Sequence, residues 1–142
     1  MVAPIFKFRN VKVRLTTNAP TLIYGVVQLS TNDTYPDRVL ASDVEPDEVS
    51  SVLLTVQVSN MTAPSVTVPI SAYIQNAESS SEFLGGARTL VKDYPLLPKN
   101  AFDPLSGNLV MAAGDQLWIT AGTANVCDVV VSILEIANAT AT

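Results

Sequence analysis

Val52-Leu53-Leu54-Thr55-Val56-Gln57-Val58-Ser59 decides the fold class. Val52, Leu54, Val56 and Val58 alternate in this stretch with Leu53, Thr55, Gln57 and Ser59. Side chains on a strand alternate between its faces, so a period of two reads as a strand with one face turned to a core. A turn signal from Asn60 to Pro64 leads into Val66, Val68, Ile70, Ala72 and Ile74, which alternate with Ser65, Thr67, Pro69, Ser71 and Tyr73. The spacing predicts a half-buried antiparallel hairpin. Pro69 has no N–H to give to a ladder, so its strand is expected at a sheet edge or carrying a bulge.

Downstream, polar residues from Gln75 open a Ser-rich loop over 75–88, with Ser79-Ser80-Ser81 at its centre and Gly85-Gly86 near its end. Thr89 to Tyr94 reads as a weaker strand. Tyr94-Pro95-Leu96-Leu97-Pro98 forces extended backbone, because a residue preceding proline is pushed out of the helical region. Three further strands are predicted at Asn108 to Ala112, Gln116 to Thr120 and Asn125 to Ala137, with turns at Gly114-Asp115 and Ala121 to Asn125. The last is apolar on both sides: Val126, Val130, Leu134 and Ile136 on one, Cys127, Val129, Val131 and Ile133 on the other. A strand of that kind needs cover on both faces, which predicts either a central position with the other face against a neighbouring subunit or a place within a trimer or dimer interface, with Val129, Val131 and Ile133 as the interface residues.

Upstream, Ile5 to Leu15 starts with Phe6 and Phe8 in one frame and continues with Val11, Val13 and Leu15 in the other. One extra residue at Asn10, a β-bulge, would bring both apolar sets to the core side. Thr21 to Leu29 is the next predicted strand, and residues 30–48 form a long acidic loop. Seven to eight short strands with regular turns make the chain all-β, an antiparallel β-sandwich of jelly-roll or immunoglobulin-like type. Its 142 residues fit one domain, 1–142, with enough chain for a core that needs no staple.

The inventory of reactive groups is short. With no His and one Cys, Ser-His-Asp, Cys-His and zinc arrangements are excluded. No glycine-rich phosphate loop is present. Asp43, Glu45, Asp47 and Glu48 crowd the long loop, but their spacing fits no EF-hand, and they read as a solvated loop. Few aromatic residues accompany the carboxylates as a sugar platform. The expectation is a protein that is not an enzyme and carries neither metal nor cofactor. Cys127 lies in an apolar run and reads as a small core hydrophobe. Asn32, Asn60 and Asn138 begin glycosylation sequons that read as chance, since Met1 to Phe8 offers no apolar stretch for a secretory signal. No run approaches the ~20 apolar residues of a membrane helix. Cytoplasmic synthesis and no membrane contact are expected.

Charge is unevenly placed. Lys7, Arg9, Lys12 and Arg14 precede any acid, so the remainder carries four basic and thirteen acidic side chains, four minus thirteen giving −9. Four cations on an acidic chain make a poor phosphate footprint, so no nucleic acid is expected. The same four residues read as a protein interface toward an acidic neighbour. A charged fraction of only 15% beside 48% apolar residues suggests apolar surface reserved for a partner.

Leu105-Ser106-Gly107-Asn108-Leu109-Val110-Met111-Ala112-Ala113-Gly114-Asp115-Gln116-Leu117-Trp118-Ile119-Thr120, followed by Asp128-Val129-Val130-Val131-Ser132-Ile133-Leu134-Glu135-Ile136, resembles small tailed-bacteriophage virion proteins. Phe8-Arg9-Asn10-Val11-Lys12-Val13-Arg14-Leu15-Thr16-Thr17, with Leu22-Ile23-Tyr24 after it, is similar to the same group; together these stretches cover about half of the chain. The resemblance implies a bacteriophage virion structural protein, foremost a capsid decoration or cement protein that binds the outside of the head and stabilises it. A neck, head–tail junction, or tail or fibre accessory protein is the alternative. The implied partners are the major capsid protein or neck and tail proteins, and further copies of the chain as a dimer or trimer. Its place would be the virion, after assembly in the host cytoplasm. A reading from another class, a host-receptor or carbohydrate-binding module, would rest on Tyr35, Tyr73, Phe83 and Trp118 as stacking residues. A metal-dependent enzyme stands third.

Overall fold

The computed structural model of the chain describes residues 5–25, 44–61, 66–76, 87–105, 107–112 and 114–139. Among these residues nine strands run in the order β1 (Ile5–Arg14), β2 (Thr21–Gly25), β3 (Val44–Asn60), β4 (Val68–Asn76), β5 (Arg88–Leu96), β6 (Ala101–Phe102), β7 (Leu109–Met111), β8 (Asp115–Ala121) and β9 (Cys127–Ala139). One sheet has the order β1-β9-β3-β6, with β7 also paired to β3; the other is β2-β8-β4-β5. Every neighbouring pair is antiparallel. The molecule is an antiparallel β-sandwich.

The pairs are nested: β1 with β9, β2 with β8, β3 with β6 and β7, β4 with β5. A long hairpin folded over itself gives this order, which is that of a jelly roll. An immunoglobulin-like sandwich would instead group its strands as A-B-E-D and C-F-G. Among the described strands, only β4 and β5 are both consecutive in sequence and paired. The predicted hairpin is therefore corrected: β3 and β4 lie in opposite sheets. Alternation told which side chains face inward, but it says nothing about which strand lies alongside.

Between the sheets lie Leu53, Val56 and Val58 of β3, Val68, Ile70 and Ala72 of β4, Leu117 and Ile119 of β8, and Cys127, Val129, Val131 and Ile133 of β9, all buried. Each fully buried aliphatic side chain contributes about 1.5–3 kcal/mol. Val129, Val131 and Ile133 are 0% exposed, enclosed by this chain's own second sheet. The expectation that they meet a neighbouring subunit is corrected accordingly; the central position of β9, between β1 and β3, is as read from its two apolar faces.

Two further expectations change. The β1 ladder runs without a break from Ile5↔Ala137 to Arg14↔Asp128, so there is no bulge at Asn10. Register shifts lie elsewhere; in β3 one falls between Val44 and Val49 and another between Leu53 and Thr55, where Leu54 is the extra residue. The shift at Leu54 moves the buried frame from Ser51 and Leu53 to Val56 and Val58. Backbone of residues 44–48, read as loop, belongs to β3, while 30–43 of that loop lie outside the described residues. Of the Ser-rich segment, Gln75 and Asn76 belong to β4 and Arg88 to β5, and 77–86 lie outside the described residues. Pro69 sits just past the β8 ladder, whose last partner on β4 is Ile70, so its missing N–H interrupts nothing there.

Candidate interaction surface

Odd-numbered residues of β1 stand opposite Val129, Val131 and Ile133, so they face the core; even-numbered ones face out. Phe6 and Phe8 are therefore on the outer face, 60% and 75% exposed. The registers carry this face across the sheet. Phe8 pairs with Leu134, Leu134 with Val52, and Val52 with Val110. Four apolar side chains from β1, β9, β3 and β7 thus form one row, with Val110 71% exposed at its far end. Phe6 and its partner Ile136 lie beside it. The next rows are polar: Asn10, Ser132 and Thr55, then Lys12, Val130 and Gln57. The outer face of this sheet is apolar at one end and hydrophilic at the other.

The four cations predicted as an interface are split by the same alternation. Arg9 points inward, and its Nε lies 3.5 Å from Glu135 Oε1 with both side chains nearly covered. Tyr24 completes that buried polar cluster, donating its hydroxyl to Glu135 Oε2 at 2.9 Å and sharing a 2.6 Å hydrogen bond with Ser51 Oγ. Arg14 faces out but is held by Asp128, donating from Nε at 2.8 Å to Oδ1 and from Nη2 at 3.2 Å to Oδ2. That carboxylate holds the guanidinium pKa above its ordinary value, and the guanidinium holds the Asp128 carboxyl below the usual range. Lys12 is exposed on the outer face. Lys7 stands opposite Glu135 in the backbone register, and its side chain lies outside the described set. Arg9 is thereby corrected from interface residue to a nearly covered ion-pair partner, and β1 presents aromatic rings beside Lys12 and an ion-paired Arg14 rather than a cationic stripe.

The signal for Phe6 and Phe8 was present in the sequence. An unbroken period of two through Ile5 to Arg14 sets them on the face opposite Val11 and Val13. Only the premise that large rings belong in the core called for a bulge. Val110 carried no such signal, because three residues of β7 are too few to fix a frame.

The remaining chemistry is modest. Among the described residues, no three His, Cys, Asp or Glu side chains are grouped so as to hold a metal. Cys127 is fully buried, and burial, followed by the charge of Asp128, pushes its thiol up to about 11. At neutral pH it is a thiol without nucleophilic character. A shallow depression of about 280 Å³ beside β6, lined by Thr55, Gln57, Phe102 and Asp103, falls just below the range of small-molecule pockets. Trp118 is buried and donates its indole N–H to Gln116 Oε1 at 3.0 Å. Tyr73 is half-buried with Lys92 Nζ 5.9 Å from its ring centroid. Neither is an open stacking platform, and Tyr35 and Phe83 lie outside the described residues. The Asn60 amide is buried and donates to Val66 O at 3.0 Å and Leu96 O at 2.9 Å, so a glycan on it would cost both bonds.

No protein-family model matches the sequence, and no curated protein or solved structure matches it significantly.

Proposed function

We propose that this chain is a structural protein of a bacteriophage particle, a decoration protein that seats the outer face of its β1-β9-β3-β7 sheet on a neighbouring virion protein, the major capsid protein foremost. The observation that carries this reading is the row Phe8, Leu134, Val52 and Val110 with Phe6 and Ile136 beside it. A contiguous apolar patch with two largely exposed phenylalanines marks a surface that is covered in use. Aromatic anchors in such a patch commonly dominate binding energy. The jelly roll adds a fold-level analogy, since capsid proteins use this architecture, although lectins and cupins do too. The sequence resemblance selects the virion among these. Many copies on one particle make a modest interface sufficient through avidity. The protein would be made in the host cytoplasm and end in the virion.

The test is incorporation. A Phe8→Ser, Val110→Ser double variant changes two exposed side chains and should leave the melting temperature nearly unaltered, since exposed substitutions shift stability by about 0.5 kcal/mol or less. Co-sedimentation with capsids of the virus whose genome encodes the chain should fall at least ~100-fold, the loss of about 3 kcal/mol expected of anchors. Undiminished incorporation of the folded variant overturns the reading. So does wild-type chain that stays in the supernatant at every salt concentration.

A further inference from the structure

Among the described residues, β1 is an outer strand of its sheet, and its free edge is distinct from the sheet face. Leu15 N–H donates to Cys127 O at 3.0 Å, and Leu15 O accepts from Asn125 N–H at 2.8 Å. Odd positions thus turn their backbone groups toward β9. Antiparallel pairing alternates these directions, so Phe6, Phe8, Asn10, Lys12 and Arg14 turn N–H and C=O away from β9. No strand stands on that side among the described residues. The edge is ten residues long, without proline or bulge; its protection is charge, Lys12 and Arg14 outward and Arg9 inward, so a strand adds only in a register that keeps like charges apart.

The geometry points to a second copy of this chain as the partner of that edge, in an antiparallel β1–β1 pairing centred on Asn10. A two-fold axis perpendicular to the sheet pairs outward residues with outward ones, so every even position meets another even position with its hydrogen-bonding groups turned toward it. Charge then chooses the register. Centring on Lys7, Arg9 or Lys12 sets that cation against itself, and centring on Phe8 sets Lys7 against Arg9; like charges directly opposite destabilise a ladder. Centring on Val11 avoids this but leaves Phe6 opposite Thr16, beyond the end of the strand. Centring on Asn10 pairs Phe8 with Lys12 and Phe6 with Arg14, each twice. An aromatic face opposite a cation is attractive. Arg14 suits the role, because its two hydrogen bonds to Asp128 fix the guanidinium plane. The dimer joins two sheets into one, with both aromatic pairs at its centre. The inference goes beyond the docking proposal and stands whatever that surface binds.

An interface this narrow is weak, so the dimer should appear as a concentration-dependent species in sedimentation analysis of the purified full chain. Lys12→Pro removes an N–H that faces the open edge and should abolish the dimer while the far-UV spectrum persists. Lys12→Glu, which keeps the backbone donor, should weaken it. Register is read by cysteine: Asn10→Cys should form a disulfide-linked dimer under mild oxidation. Lys12→Cys alone should not, because its two copies lie farther apart than the ~7 Å that a disulfide spans. The inference is overturned by a chain that is monomeric at every concentration, by a dimer that Lys12→Pro and Lys12→Glu leave intact, or by cross-linking at Lys12→Cys rather than Asn10→Cys.

Discussion

Asp128 accepts two hydrogen bonds from one guanidinium and is the pair partner through which Arg14 anchors the end of β1 to the start of β9. Its carboxyl is held below the ordinary value near 3.9, first by the hydrogen bonds from Arg14. A depressed carboxyl contributes stability that is fully present above the unfolded value and is lost as pH falls through the folded one. The wild-type chain should therefore lose stability on acidification below about pH 4, and Asp128→Asn should lose less over the same interval. The Arg14 side chain is half-exposed, so the difference is small and shrinks in high salt. Urea titrations at stepped pH, for both proteins at two ionic strengths, measure it. Parallel pH profiles for the two proteins would remove Asp128 from the account.

At the scale of elements, a close backbone approach joins β4 to the turn after β8. Gly122 N–H donates to Pro69 O at 2.9 Å. A Cβ on Gly122 would stand 2.5 Å from Pro69 Cγ and 2.9 Å from Cδ. The ring cannot swing aside as a longer side chain would, and the hydrogen bond holds the two backbones in place. Gly122→Ala should cost about 1–3 kcal/mol, the usual range for overpacking. Pro69→Ala should restore most of that in the double variant, a coupling that thermal melts of the four proteins would read. Additive effects would show that the turn relaxes instead. The same contact explains what the sequence could show of this element. Period two identified β4 and its buried frame, Val68, Ile70 and Ala72, from the side chains alone. The meeting of Pro69 with Gly122 depends on two sheets' worth of intervening chain, and no local pattern encodes it. The bulge was misplaced for a related reason. Leu54 continues the apolar alternation of Val52 and Val56, so nothing in β3 announced the shift. The Phe6 and Phe8 frame did announce a conflict in β1, and exposure resolved it. Of the residues expected at an interface, Lys12 and Arg14 face outward; Arg9, Val129, Val131 and Ile133 face inward, because the pairing of β1 with β9 fixes the parity.

At the scale of the molecule, nesting ties the fold together through its most distant strands. The first sheet closes only when β1 meets β9, so its formation carries the loop-closure cost of nearly the whole chain, and slow folding is expected. On the opposite side of the sandwich, Tyr94 of β5 stacks on Phe102 of β6 with centroids 4.0 Å apart, joining the two sheets at their edges. Cys127 reports on this closure. It opens β9, its carbonyl receives the Leu15 N–H, and its thiol is fully buried and held up at about 11 by burial. Trp118 is a separate reporter buried on the other sheet. If closure is cooperative, Cys127 should be labelled by a thiol reagent at mildly alkaline pH at least ~10³-fold more slowly in native buffer than in urea. Its labelling should follow the same urea midpoint as Trp118 fluorescence, as coincident transitions require. Rapid labelling in native buffer with Trp118 fluorescence unchanged would mean that β1 and the start of β9 separate while the second sheet persists. That outcome would make the β1 edge a locally opening element instead of a fixed rim on which a second copy can pair.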